Sequence, residues 1–271
     1  MSLITVSHRV GTKGQEVSRL VADRLNVALF NDRRLTERAA ALGLTAEDLD
    51  GLDERAPGFW DQAFSRKPER YRDLLERVVY EIASAGQGVI VGHGSQVLLR
   101  EFSCAFHVRI HADIRSRVRE LRQRQGMKKE AAERLIRKMD DRQQGYFRYA
   151  YQLDMESADL YDLVINTQKM RPDTAAEVIE QAARSEDVSA CSIHALDTMQ
   201  RFSLQRQVHA SLLESAVDVS TLNVEVPATG AVVVSGMTAS QEDADRLPDI
   251  VRSVTGVSEL VCDLSVWTYA L

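Results

Sequence analysis

Apolar residues fall in short β-branched runs separated by amphipathic stretches. Leu3-Ile4-Thr5-Val6 passes straight into Ser7-His8-Arg9-Val10-Gly11-Thr12-Lys13-Gly14-Gln15-Glu16-Val17-Ser18. Val17, Leu20, Val21 and Leu25 then recur at helical spacing, and Val27-Ala28-Leu29-Phe30 predicts a short buried strand, a β–α–β opening. Residues 32–66 are polar and irregular around Asp53-Glu54-Arg55-Ala56-Pro57-Gly58-Phe59-Trp60. From Glu69 a helix places Leu74, Leu75, Val78, Val79 and Ile82 on one side and stops at Gly86-Gln87-Gly88. Val89-Ile90-Val91 is a strand ending in Gly92-His93-Gly94, and Phe106, Val108 and Ile110 alternate toward His111-Ala112-Asp113, where Asp113 can cap the next helix. In this alternation His107 reads as a surface position. Ile114, Val118 and Leu121 stripe one helix; beyond Gly126 a second runs through Leu135, Ile136 and Met139 to Tyr146. Leu163-Val164-Ile165 before Asn166-Thr167 is the last strand, with Asp162 at its entry, and Thr174 to Ala183 the last helix of this part.

Strands alternating with helices imply an α/β unit, a parallel sheet with helices on both faces. The pattern changes near residue 190. Residues 203–216 read as helix, 222–226 and 231–234 flank Pro227-Ala228-Thr229-Gly230 as a hairpin, 240–254 are helical and 260–267 alternate. This is a small α+β (αββαβ) unit, joined through the polar stretch 185–192. The expected division is residues 1–190 and 200–271.

With 44% hydrophobic and 27% charged residues, composition is that of a soluble globular chain, here expected to be cytoplasmic. No run approaches a membrane span, and no basic segment with an apolar h-region opens the chain. Cys104, Cys191 and Cys262 match no metal spacing and read as small reduced fillers; no metal site is nominated. A net charge of -6 does not suggest a general nucleic-acid binder. Charge is nevertheless uneven: residues 109–148 carry 13 Lys and Arg against 6 Asp and Glu, a local +7. That block suits an anionic ligand.

A strand running into a glycine-bearing loop and a helix is a device for holding phosphate, because the helix start presents unpaired N–H groups and partial positive charge. The Walker A pattern G-x-x-x-x-G-K-[ST] is not met. His8 and Lys13 stand at its glycine positions, and Gly14 stands where the lysine belongs.

Five segments occur in the order and spacing of the cytidylate kinase-like proteins, and residues 1–185 resemble that family. They are residues 4–7, 11–16, 89–94, Asp140-Asp141-Arg142-Gln143-Gln144-Gly145-Tyr146-Phe147-Arg148-Tyr149, and Tyr161-Asp162-Leu163-Val164-Ile165-Asn166-Thr167. The resemblance implies a P-loop-type fold that binds a nucleotide and transfers phosphate from ATP, with Mg²⁺, to a nucleoside monophosphate such as CMP. Donor phosphates would then be cradled by Arg9, Gly11, Thr12, Lys13, Gly14, Gln15 and Glu16. Lid arginines Arg137, Arg142 and Arg148 would offset charge on the transferring group. The acceptor would meet Asp53, Arg55 and His93, the last standing where such kinases often have arginine. Losing the P-loop lysine opens an alternative: a catalytically weak or inactive kinase-like sensor that binds a nucleotide or other phosphate ligand and signals to a partner through the last unit. The last unit resembles a BON domain on Val232-Val233-Val234-Ser235-Gly236 and Val254-Thr255-Gly256-Val257-Ser258-Glu259-Leu260-Val261-Cys262, which implies a protein or lipid partner.

Overall fold

The computed structural model describes residues 2–41, 68–100, 102–189, 193–215 and 217–266. Asp53, Arg55, Phe59 and Trp60 lie outside the described residues. The chain divides into two compact units, Met1–Ser192 and Ile193–Leu271.

In the first unit β1 (Ser2–His8) buries Leu3, Ile4 and Val6 completely or nearly so, and a strand apolar on both faces belongs in a sheet interior. It is followed by α1 (Gly14–Leu25), β2 (Leu29–Phe30), α2 (Asp32–Ala41), α3 (Pro68–Ala83), β3 (Gln87–Val91), α4 (Ser95–Leu98) and β4 (Ala105–His111). Then come α5 (Ile114–Gln125), α6 (Lys129–Tyr151), β5 (Leu163–Asn166), α7 (Pro172–Ala183) and α8 (Glu186–Ser189). The five strands form one parallel sheet in the order β2-β3-β1-β4-β5. This is the P-loop-type sheet that the alternation and the loop foretell.

The order places the site. From β1 the chain crosses to β2 and β3 on one side, then passes β1 to reach β4 and β5 on the other. A crevice therefore opens at the carboxyl end of β1. Its walls rest on one core in which Ile4, Val6, Val17, Val21, Val89, Val108, Ile110, Ile165 and Ile179 pack together. Each such side chain contributes up to about 1.5–3 kcal/mol of hydrophobic stabilisation, so β1 and α1 are held firmly on either side of the loop joining them.

Two local readings change. Val27 and Ala28 do not join β2, because Asn26 takes a left-handed conformation and Val27 N–H still bonds back to Ala22 C=O, closing α1. His107 is buried at 7% exposure rather than on the surface, because both faces of β4 are covered and every residue from Ala105 to Ile110 is buried. Its Nδ1 lies 2.8 Å from Thr5 Oγ1, and burial pulls the imidazole below its ordinary range against the opposing influence of Asp162. Asp162 accepts the His107 backbone N–H at 2.7 Å where β5 begins, so it lies at the end of β5 opposite the crevice.

The second unit comprises α9 (Ile193–Glu214), a 3-10 turn (Val219–Thr221), β6 (Leu222–Ala228), β7 (Ala231–Thr238), α10 (Gln241–Arg252) and β8 (Glu259–Val266). Its sheet runs β6-β7-β8, with β6 and β7 antiparallel and β7 and β8 parallel. The hairpin turn contracts to Thr229-Gly230, and Gly230 (φ 82°) supplies the left-handed position. Helix α9 starts ten residues before the expected 203, and Met199 and Leu204 are buried along it. Val208, Leu212, Val224, Val226, Val232, Val234, Leu247 and Val251 form the core. No described helix is long and apolar enough to cross a membrane.

Candidate functional site

Between β1 and α1 the chain makes one tight loop, and each residue of it has a local cause. Lys13 takes a left-handed conformation (φ 63°) as the N-cap of α1 and gives the helix no side-chain cap. Gly14 must follow, because a Cβ there would stand 2.3 Å from the His8 Cβ. Gly11 is left-handed as well (φ 82°), with the Arg117 carbonyl 2.9 Å from where its Cβ would be. Thr12 folds back: its hydroxyl and backbone N–H both donate to the Arg9 carbonyl, at 2.8 and 3.2 Å. Thr167, just after β5, donates its hydroxyl to the Thr12 carbonyl at 2.8 Å, tying the loop to the far side of the sheet. The result is a rigid turn whose helix end has uncapped first-turn amides.

A cavity of about 250 Å³ opens over this turn, lined by His8, Arg9, Gly11, Lys13, Gly14, Gln15 and Glu16 from the loop and α1. Asn31 and Asp32 line it from the start of α2, Glu120 and Arg124 from α5, and Met139, Asp140 and Gln143 from α6. Its charges are paired in a specific order. Arg117 grips Asp140 with both terminal nitrogens at 2.7 Å while its Nε donates to the Val10 carbonyl at 2.7 Å. Asp140 also meets Arg9 at 3.1 Å. Arg9 reaches Glu156 at 2.6 Å, and Glu156 meets the buried Arg109 at 2.5 Å. Three guanidinium groups thus share two carboxylates, and Asp154 adds a third carboxylate near Arg9. The Arg9 Nε is buried and lacks a hydrogen-bond partner, so a donor remains to be satisfied there. Lys13 pairs with Glu120 at 3.4 Å, and Arg124 with Glu120 and Glu16; these four charges cancel.

Asp154 steadies this arrangement from below α6. It accepts from the Glu156 backbone N–H and the Gln144 side chain, and those bonds, the backbone one foremost, hold its carboxyl below the ordinary range. Both residues contact Arg9.

The loop residues named from sequence therefore gather at one cavity: Arg9, Gly11, Lys13, Gly14, Gln15 and Glu16 line it, and the buried Thr12 braces it. His93 stands at the end of β3 in a left-handed conformation, 1% exposed, its Nε2 3.0 Å from Asp32 Oδ1. Arg137, Arg142 and Arg148 all lie on α6 but are not among the lining residues; Arg137 and Arg148 are exposed. The face of α6 turned to the cavity presents Met139, Asp140 and Gln143 instead. Sequence reasoning missed Asp32, Arg109, Arg117, Glu120 and Glu156 as site neighbours. The local signals were Asp32, one residue beyond a strand, and the basic block 109–148 that holds Arg109 and Arg117.

The site suits a polyphosphate. Uncapped amides and an orphaned Arg9 N–H are groups that phosphate oxygens satisfy. No cluster of three or more potential metal ligands occurs among the described residues. A magnesium ion would accordingly be held largely by the phosphates and water, with at most one or two cavity carboxylates from Glu16, Asp32, Glu120 and Asp140.

Comparison with known proteins agrees with this geometry. A cytidylate kinase from Ignicoccus hospitalis is 29% identical over 183 residues, covering 67% of this chain and 98% of that protein. A cytidylate kinase from Thermoplasma volcanium is 21% identical over 178 residues, covering 65% and 88%. Among solved structures, an uncharacterized protein from Eubacterium ventriosum shares the fold with a TM-score of 0.53 at 19% identity, over 67% of this chain and 97% of that one. The model of the cytidylate kinase-like family matches residues 3–169, the part that carries the loop, the cavity and all five parallel strands. The chain belongs to the cytidylate kinase-like family.

Proposed function

We propose that the first unit is a nucleotide-dependent kinase whose donor, ATP accompanied by Mg²⁺, lays its phosphates against the first-turn amides of α1. The observation that carries this is the uncapped start of α1 opening into a cavity beside Arg9, whose buried Nε lacks a hydrogen-bond partner. An anion at such a helix start gains about 0.3–1 kcal/mol from the dipole alone, and up to about 2 where partly buried. Arg9 supplies the fixed charge that the absent P-loop lysine would have given, since its neighbours hold it within the cavity wall. Arg137, Arg142 and Arg148 act only in a closed form in which α6 shifts over bound reactants. The second unit is read as a BON-like module that meets a protein or lipid partner; its αββαβ element order supports this.

The test is calorimetric titration with ATP and Mg²⁺, followed by ADP release with each nucleoside monophosphate, CMP first because the curated relatives are named for it. Saturable binding at one site per chain with nucleotide-dependent ADP release supports the kinase. Binding without any ADP release makes the chain a nucleotide sensor, and absence of binding removes the reading.

A further inference from the structure

The sheet of the second unit has two edges, and the chain treats them differently. On β6 the Val224 and Val226 carbonyls accept from Gln205 and Arg201 of α9, each at 2.6 Å. Among the described residues the other edge is β8, which pairs with β7 alone and carries two charges, Glu259 and Asp263. Five of its eight residues are exposed, and Val261 is 59% exposed. A long, exposed edge strand presents a row of N–H and C=O groups that a further strand can take up. Its two faces are unequal. Leu260 and Leu264 pack against the core of the unit, and Cys262 shares their face, in register with the buried Val234. Glu259, Val261, Asp263 and Ser265 alternate with them on the outer face.

Charge and register decide what pairs there. A second copy of β8 brought up by a two-fold axis runs antiparallel, and directly opposite residues then share a face of the joined sheet. Keeping both apolar faces on one side requires the axis to pass through a residue rather than between two. An axis at Val261 sets Glu259 against the partner's Asp263, and an axis at Asp263 sets that carboxylate against its own copy. Like charges directly opposite destabilise a sheet. Axes nearer the ends of β8 leave most of the strand unpaired. An axis at Cys262 has none of these faults. It sets Leu260 against the partner's Leu264, which extends the apolar face, and Cys262 against the partner's Cys262. On the outer face it sets Val261 against the partner's Asp263 and Glu259 against the partner's Ser265. We propose that the chain forms a two-fold dimer by antiparallel pairing of β8 centred on Cys262, which joins two three-stranded sheets into one. This is independent of the kinase reading, which concerns the first unit.

The experiment is sedimentation velocity of the full chain over a range of micromolar concentrations, with a short bis-maleimide to link opposed thiols. The parent is expected to sediment as two chains and to be linked covalently; Cys262→Ser is expected to lose the link and still sediment as two chains. Val261→Glu sets a second carboxylate against the partner's Asp263, twice per dimer, and is expected to weaken association about tenfold. Val261→Lys, facing the same carboxylate, associates at least as tightly as the parent. Should Val261→Glu lose its melting transition, Ser265→Glu, which meets the partner's Glu259, is read the same way. A parent that sediments as one chain overturns the proposal and leaves the edge to a strand of another protein. A dimer that Val261→Glu and Val261→Lys weaken equally, or whose linkage is absent or undiminished in Cys262→Ser, is built on another surface and overturns it too.

Discussion

Gly14 shows how much of the site is fixed by a single residue. A Cβ at that position would stand 2.3 Å from the His8 Cβ, a distance that neither backbone can relieve without moving β1 or α1. Gly14→Ala is therefore expected to cost about 1–3 kcal/mol, seen as a lower urea midpoint, and to weaken ATP binding further because the helix start is displaced. His107 supplies a second expectation. Burial lowers its folded pKa below 6.5, so between that lowered value and 6.5 the unfolded chain binds more protons than the folded one. Stability is then full above about pH 6.5 and declines as pH falls through the window beneath it. His107→Gln should flatten that part of the urea midpoint against pH curve; an unchanged slope would show that His107 is not its source. The contiguous segment from Arg9 to Glu16 was legible in sequence because a strand, a glycine loop and a helix start are local facts. The partners of Arg9 were not. Gln144 lies 135 residues away, and Asp140 and Glu156 sit on or beyond a helix whose charges looked like an ordinary solvated face. Pairing over such distances is set by the fold, which brings α6 over the loop.

Among the elements, those with long, strongly periodic apolar patterns were readable, and their edges were where reading failed. Val27 was lost from β2 because a left-handed Asn26 extends the closure of α1. The early turns of α9 were missed because polar residues surround Met199, whose burial depends on the second unit's own core. His107 was misread because alternation signals a half-exposed strand, whereas β4 is buried on both faces. The same helix, α9, does a job that no pattern announces. Its Arg201 and Gln205 side chains donate to the Val226 and Val224 carbonyls of the edge strand β6, each at 2.6 Å. Edge strands expose unpaired carbonyls, and covering them guards against stray pairing. Replacing both residues by alanine should lower the second unit's stability by about 1–3 kcal/mol in total and raise light scattering during refolding. If the variant melts and refolds like the parent, those bonds contribute nothing.

At the scale of the whole molecule, a chain of net charge -6 concentrates +7 within residues 109–148. Much of that surplus turns inward. Arg109, Arg117 and Arg124 reach Glu156, Asp140 and Glu16, and Arg9 is held between Asp140 and Glu156. Pre-formed pairing holds these groups in place before any ligand arrives, and fixed charges of this kind are what phosphoryl transfer requires. Arg9→Ala should reduce ATP affinity at least about tenfold, the equivalent of about 1.4 kcal/mol, since hydrogen bonds to charged groups are typically worth about 1.5–3 kcal/mol. The most direct measurement is an amide NMR titration of the ¹⁵N-labelled chain with ATP and Mg²⁺. The account expects the amides of Gly11 and of Lys13 through Glu16 to shift together and saturate at one nucleotide per chain, and to need at least about tenfold more nucleotide to reach the same shift in Arg9→Ala. Saturable shifts confined to other parts of the chain, with these amides unmoved, would contradict it.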